Sequence, residues 1–274
     1  MCLFDEFVAK AHYFTERNAC HASLPCQPTP PRIPCDSGQA LTARELRVMV
    51  SRDNHLWLQM WRDRQSDEFH QLSVNKYLTR FWPALEIPHG SRIFVPLCGK
   101  SLDMLWLAEQ GYQVVGVELS PIAVKAFFKE NHLQPVKQRL ADFTLWRHGN
   151  ISILCGDYFS LSLTQLGQID TVYDRAALTA LPEDIRPLYV DQLHAIVSAT
   201  TNIFLLTIED AEHDKPLPRN QQVDAELISL YARNFEIKLK HADTVIEEQS
   251  SAPAASPLHS AYKVYHLTRR APRT

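Results

Sequence analysis

Residues 92–118 read RIFVPLCGKSLDMLWLAEQGYQVVGVE, and this stretch decides the fold. Arg92 to Leu97 is a short apolar run and Gln113 to Glu118 is a second one, rich in valine. Between them Leu102, Leu105 and Trp106 recur at helical spacing, and Gly111 stands just past the end. A strand, a helix and a second strand in so short a span form a βαβ unit, and therefore a parallel pair.

Downstream, Ile151 to Leu154, Ile169 to Tyr173 and Asn202 to Ile208 read as the third, fourth and fifth strands. Phe143 to Arg147, followed by His148-Gly149-Asn150, forms a hairpin with the third strand. Phe235 to His241 and Ala261 to Leu267 alternate apolar with polar residues, so the sheet ends in a hairpin. Upstream, Pro25, Pro28, Pro30, Pro31 and Pro34 crowd one short stretch, where missing N–H donors exclude a helix or a central strand. Residues 3–17 and Leu41 to Val50 carry short amphipathic helical patterns on either side of it.

The chain has 274 residues, enough for one sizeable core. Its 28 Lys and Arg against 31 Asp and Glu argue against nucleic acid or a membrane surface as partner. No apolar run approaches the roughly 20 residues that span a bilayer. Asp5, Glu6 and Lys10 interrupt the N-terminal apolar residues before a secretory signal forms, so a cytoplasmic location is expected. The six cysteines have no C-x-x-C spacing and are read as reduced thiols, with no metal site.

Open α/β sheets bind ligands outside the carboxyl ends of their strands, which is where Pro96-Leu-Cys-Gly-Lys-Ser101 falls. Gly99 lets a ligand approach the backbone closely. The Gly-Lys-Ser ending tempts a P-loop reading, but Phe94 stands where that motif requires its first glycine. The further glycines of a dinucleotide fingerprint are also missing, which weighs against a nicotinamide dehydrogenase. Glu118, ending the second strand, is suited to accept from both hydroxyls of a ribose. The competing reading makes it a helix cap, but Ser120 as N-cap and Pro121 at the first helical position already fill that role.

Four runs, Arg92 to Met104, Leu107 to Gly111, Val114 to Ser120 and Tyr173-Asp-Arg-Ala-Ala-Leu178, closely resemble the thiopurine S-methyltransferase family, and the likeness extends from about Trp57 to Thr268. Pro-Leu-Cys-Gly-Lys with Asp-Arg-Ala-Ala-Leu is specific to it, whereas Gly-Val-Glu fits any class I methyltransferase. The resemblance implies an α/β class I methyltransferase (Rossmann-like) fold, a seven-stranded, mostly parallel sheet with a C-terminal antiparallel hairpin. It divides the chain into a poorly ordered extension, 1–48, and one methyltransferase domain, 49–270. Because Met49 lies about where short bacterial members start, the extension is open to being an over-extended translation.

The resemblance further implies S-adenosylmethionine as cofactor, without a metal. Leu97 and Gly99 would lie beneath its methionine end, Glu118 on the ribose, Asp157 and Tyr158 at the adenine, and Trp57 and Trp61 in a covering lid. Phe159 is equally readable as a core aromatic and Tyr158 less so, while two tryptophans at that spacing are, apart from the resemblance, more often core than cofactor cover. Arg175 would contact the cofactor and assist an anionic acceptor as the catalytic residue; its bland reading is a structural ion pair with Asp174 or another acid. Phe69 and His70 would line the acceptor pocket, His70 being otherwise a surface residue.

The partner implied is a small-molecule thiol, with the enzyme acting as a monomer. Methyl transfer to sulfur needs no protein nucleophile, in keeping with the lack of Ser-His-Asp order or an HExxH motif. The chain departs from the family at 210–222, where a Gly-Pro-Pro-aromatic loop lacks its glycine and aromatic. The alternatives are transfer to small soft nucleophiles, such as selenium or tellurium oxyanions or small thiols, and a non-catalytic S-adenosylmethionine-binding module.

Overall fold

The computed structural model describes residues 43–64, 70–210, 224–247 and 258–270. The proline-rich stretch, Phe69 and the departure at 211–222 lie outside them. Five parallel strands form the middle of one nine-stranded sheet: β1 (Arg92–Val95), β2 (Gln113–Glu118), β5 (Ile151–Cys155), β6 (Thr171–Arg175) and β7 (Asn202–Asp210). Hairpin β3 (Val136–Leu140) and β4 (Phe143–His148) extends it antiparallel beside β5. The long hairpin of β8 (Phe235–Glu247) and β9 (Leu258–Arg269) extends it beside β7, in the order β3-β4-β5-β2-β1-β6-β7-β9-β8.

Seven of these strands, from β5 across to β8, make the sheet expected from the sequence. The count of seven is corrected to nine by the β3–β4 hairpin. β4 is foreshadowed by the hairpin pattern, but β3, with the sequence VKQRL, is exposed at four of its five positions and carries no alternation of burial to read. β6 runs two residues later than its expected span, because Asp174 and Arg175 still pair with Leu205 and Leu206 of β7.

The helices are α1 (Ala43–Arg62), α2 (Lys76–Phe81), α3 (Asp103–Glu109), α4 (Pro121–Glu130), α5 (Leu163–Leu166), α6 (Arg186–Ile196) and α7 (Ala225–Tyr231). From Ala43 on, the pattern expected at Leu41 to Val50 and the tryptophan pair belong to one helix, α1. Ser120 Oγ accepts from the Ala123 N–H and Pro121 opens α4, as read from the sequence.

Both faces of the sheet are buried, as a parallel sheet requires. Ile93 and Val95 of β1 pack with Val114, Ile153 and Tyr173 on one face. Phe94 packs with Val115, Val117, Leu154 and Val172 on the other. The chain winds from β1 through β2 to β5 on one side, then crosses to β6 on the other. The strand order therefore reverses between β1 and β6, and a crevice opens beyond their carboxyl ends. Among the described residues no helix is long and apolar enough to cross a membrane.

Candidate active site

The crevice is a cleft of about 900 Å³, counting its open part, lined by residues of α1 and of the turns that follow β1, β2, β5 and β6. Its floor is the turn after β1. Leu97 and Gly99 there both take positive φ, at 46° and 53°, and Ala176, just after β6, does so at 58°. For leucine and alanine this is a sparsely populated conformation, and such residues gather where backbone is shaped for a ligand. A Cβ built on Gly99 would stand 3.6 Å from the Trp61 ring, so the glycine lies directly under α1.

Glu118 bridges the ends of β1 and β2. Its Oε2 accepts from the Gly99 N–H at 2.9 Å and its Oε1 from the Ser120 N–H at 2.7 Å. It is 6% exposed. Burial pushes its carboxyl up to about 7, against the opposing pull of the backbone donors at Ser120, Gly99 and Leu119. With three backbone donors on its two oxygens, the carboxylate keeps lone-pair capacity for a further donor. Cys98 and Cys155 flank this carboxylate, and burial raises both thiols, Cys155 to about 11, which leaves neither a nucleophile.

At the end of β5, Asp157 caps a short turn through the Phe159 N–H and accepts from Asn54 Nδ2 of α1 at 3.0 Å. Tyr158 borders the cleft but belongs to the core. Its hydroxyl donates to the Tyr189 carbonyl at 2.9 Å and its ring stacks on Tyr189. Phe159 is the partly exposed aromatic beside it.

Arg175, the last residue of β6, pairs through Nε with Asp103 Oδ2 at 2.7 Å and donates through Nη2 to Ser101 Oγ at 3.0 Å. Asp174 is not its partner. That carboxylate accepts from the Ala177 and Leu178 N–H groups and from the Tyr189 hydroxyl, and burial pushes it up to about 6.

The cleft thus brings together Trp57, Trp61, His70, Leu97, Gly99, Glu118, Asp157, Tyr158 and Arg175. The sequence reading did not single out Asp53, Asn54 or Ser101, which line it too. Asp53 and Asn54 stand four and three residues before Trp57 on α1, so helical spacing was the signal for both. Lys100 also borders the cleft, but its ammonium meets Glu130 at 3.1 Å, which agrees with rejecting a P-loop. Among the described residues no group of three His, Cys, Asp or Glu could hold a metal ion.

The family model for thiopurine S-methyltransferase matches residues 52–270. A thiopurine S-methyltransferase of Stutzerimonas stutzeri is 57% identical over 224 residues, 82% of this chain and 94% of its own length. The chain belongs to the thiopurine S-methyltransferase family. A second relative of that name, from Nitrosospira multiformis, is 44% identical over 70% of this chain and 87% of its own.

Solved structures agree on the fold. An S-adenosylmethionine-dependent methyltransferase from Anabaena variabilis superposes with a TM-score of 0.52 at 17% identity, covering 80% of this chain and 95% of that one. A 1,6-didemethyltoxoflavin N1-methyltransferase from Burkholderia thailandensis superposes at 0.51 with 16% identity, covering 85% and 93%. The fold is that of the class I methyltransferases, and the family's chemistry is methyl transfer from S-adenosylmethionine. The donor set suits that cofactor: an acceptor-only carboxylate at Glu118, a glycine under an aromatic cover, and an acidic side chain at Asp157.

Proposed function

We propose that this protein methylates the sulfur of a small heterocyclic thiol, a thiopurine or a close relative. The observation that carries the reading is the meeting of Glu118, Gly99, Asp157 and Arg175 on one cleft at the reversal of strand order. S-adenosylmethionine, when bound, supplies the methyl group as an already activated sulfonium.

The protein's own part is to bind and align. Glu118 accepts from the ribose hydroxyls, Asp157 from the adenine amine, and Leu97 and Gly99 lie beneath the methionine end. Trp57 and Trp61 of α1 cover the cofactor and exclude water. Tyr158 supplies the floor under the adenine rather than a free face, since its hydroxyl and ring are committed to Tyr189. Holding acceptor and donor in line contributes on the order of 7–11 kcal/mol, so no protein nucleophile is needed.

On the acceptor side Arg175 stabilises the thiolate as a fixed donor, with His70 on the same cleft. A thiol acidic enough to ionise near neutrality needs no general base. The protein acts as a monomer in the cytoplasm.

Transfer of a labelled methyl group from S-adenosylmethionine to 6-mercaptopurine by the purified protein tests this, with Arg175→Met alongside. Transfer that falls in the variant is the expected result. The missing glycine and aromatic at 210–222 favour a second reading, transfer to a small soft anion. Cofactor binding without transfer to 6-mercaptopurine, followed by transfer to selenite, would select it; no turnover with either leaves a binding module.

A further inference from the structure

Asp103 is 1% exposed, yet its carboxylate is the meeting point of three segments of the chain. Its Oδ2 accepts from Arg175 Nε at 2.7 Å and from the Tyr173 hydroxyl at 2.8 Å, both on β6. Its Oδ1 accepts from the Asn75 N–H at 2.8 Å, at the entry to α2. The Asp103 N–H donates in turn to Ser101 Oγ, the same oxygen that receives Arg175 Nη2. Nε and Nη2 form one edge of a planar guanidinium, so two fixed acceptors on that edge set the plane of the whole group.

The Asn75 contact extends this control. Asn75 Oδ1 accepts from the Tyr77 and Leu78 N–H groups to cap α2, and Asn75 Nδ2 donates to Gln71 Oε1, one residue after His70. The wall carrying His70 and the side chain of Arg175 are therefore referenced to one buried carboxylate. An ion pair so enclosed is weak evidence for stability, because desolvation offsets much of the attraction. Geometry is what the arrangement supplies.

We infer that Asp103 is a positioning residue for methyl transfer, which fixes the guanidinium plane of Arg175 and registers the His70–Asn75 segment against it. It touches neither acceptor nor cofactor and acts through Arg175. With Nε held by Asp103 and Nη2 by Ser101, the plane in which Arg175 presents its guanidinium to the acceptor is set. Because Asp103 balances its charge, orientation rather than net charge is what the acceptor reads. A misplacement of about 1 Å in such a group can cost on the order of 100-fold in rate.

This inference rests on Arg175 being the acceptor-side cation, and its test separates the two. Asp103→Asn keeps the shape and removes the charge. The full chain is compared with Asp103→Asn, Arg175→Met and the double variant, with 6-mercaptopurine as acceptor. Expected is a fall in acceptor kcat/KM of about 10- to 100-fold for Asp103→Asn in the wild-type background, with cofactor Kd within about twofold and less than about threefold loss in the Arg175→Met background. The same factor in both backgrounds, or an unchanged kcat/KM, overturns it.

A second readout does not depend on turnover. The Arg175 Nε–H resonance in a ¹⁵N spectrum, assigned by its loss in Arg175→Met, should be sharp and exchange-protected in the wild type. It should be broadened or lost in Asp103→Asn; persistence overturns the inference. A wild type that shows the protected resonance but transfers nothing overturns the thiopurine reading and leaves Asp103's hold on Arg175 standing. If Asp103→Asn does not fold, Tyr173→Phe, which removes one donor from Oδ2 without reaching the cleft, takes its place in the same cycle with the same criteria.

Discussion

The Gly99 N–H, at the turn after β1, and Glu118 Oε2, at the end of β2, meet at 2.9 Å and join the backbone cradle to the carboxylate of the proposed ribose site. Both belong to one βαβ unit, whose residues Leu97 to Ser101 and Glu118 line part of the cleft. The carboxylate opens on the same cleft as α1, with only 6% of the residue exposed.

That burial sets a pH dependence. Ribose hydroxyls donate to the ionised carboxylate, and burial holds Glu118 at about 7 against an ordinary 4.5. Cofactor affinity should therefore rise with pH up to about 7, by as much as tenfold per unit below it, and level off above. Folding stability should run the other way. The folded value lies above the unfolded one, so the Glu118 contribution is fully present below about 4.5 and is lost as pH rises to about 7. Calorimetric titration from pH 5.5 to 8.5, beside thermal melts, checks both signs; a flat affinity in the wild type would remove Glu118 from the ribose.

Gly116 gives a prediction about packing beneath the same turn. A Cβ there would meet Cys98 Sγ at 2.6 Å and Met104 Sδ at 3.2 Å. Gly116→Ala should cost about 1–3 kcal/mol through overpacking and weaken cofactor binding by shifting the residue before Gly99. Cys98→Ala removes the sulfur, so the double variant should recover part of the melting temperature. If Cys98→Ala adds its own loss instead, the strain lies elsewhere in β2.

Much of this site was legible because it is local. The turn after β1, Gly99 and Glu118 fall within one βαβ pattern, and Ser120-Pro121 announces its own helix. What escaped depends on tertiary contact. Asp103 reads as an ordinary acid in the first turn of a helix until Arg175, 72 positions on, is seen beside it. β3 escaped because an edge strand exposed on both faces leaves no period to detect. Asn54 was readable only by its spacing from Trp57, since a polar residue beside a tryptophan pair has no signature of its own.

Asn54 carries a prediction about α1. Its amide donates to Asp157 Oδ2 at 3.0 Å, one of the contacts that hold the helix across the cleft. Asn54→Ala should raise amide exchange throughout α1 by about fivefold, corresponding to roughly 1 kcal/mol for one hydrogen bond. Exchange in β1 and β2 should not change. Hydrogen-exchange mass spectrometry reads both, and unchanged protection of α1 would mean that other contacts, Trp61 over Gly99 among them, seat the helix.

Arg175 is a stability element as well as a proposed catalytic one, and this bears on any variant made there. Removing the guanidinium strands the Asp103 carboxylate in a site 1% exposed. A buried partner left uncompensated typically costs about 3–5 kcal/mol. Arg175→Met should therefore melt well below the wild type. Asp103→Asn added to it should restore most of the loss, because no charge then remains to be solvated, while leaving methyl transfer as low as in the single variant. Thermal melts at pH 7.5 check this. If Arg175→Met melts like the wild type, another cation or solvent reaches Asp103, and the ion pair has no part in holding β6 to α3.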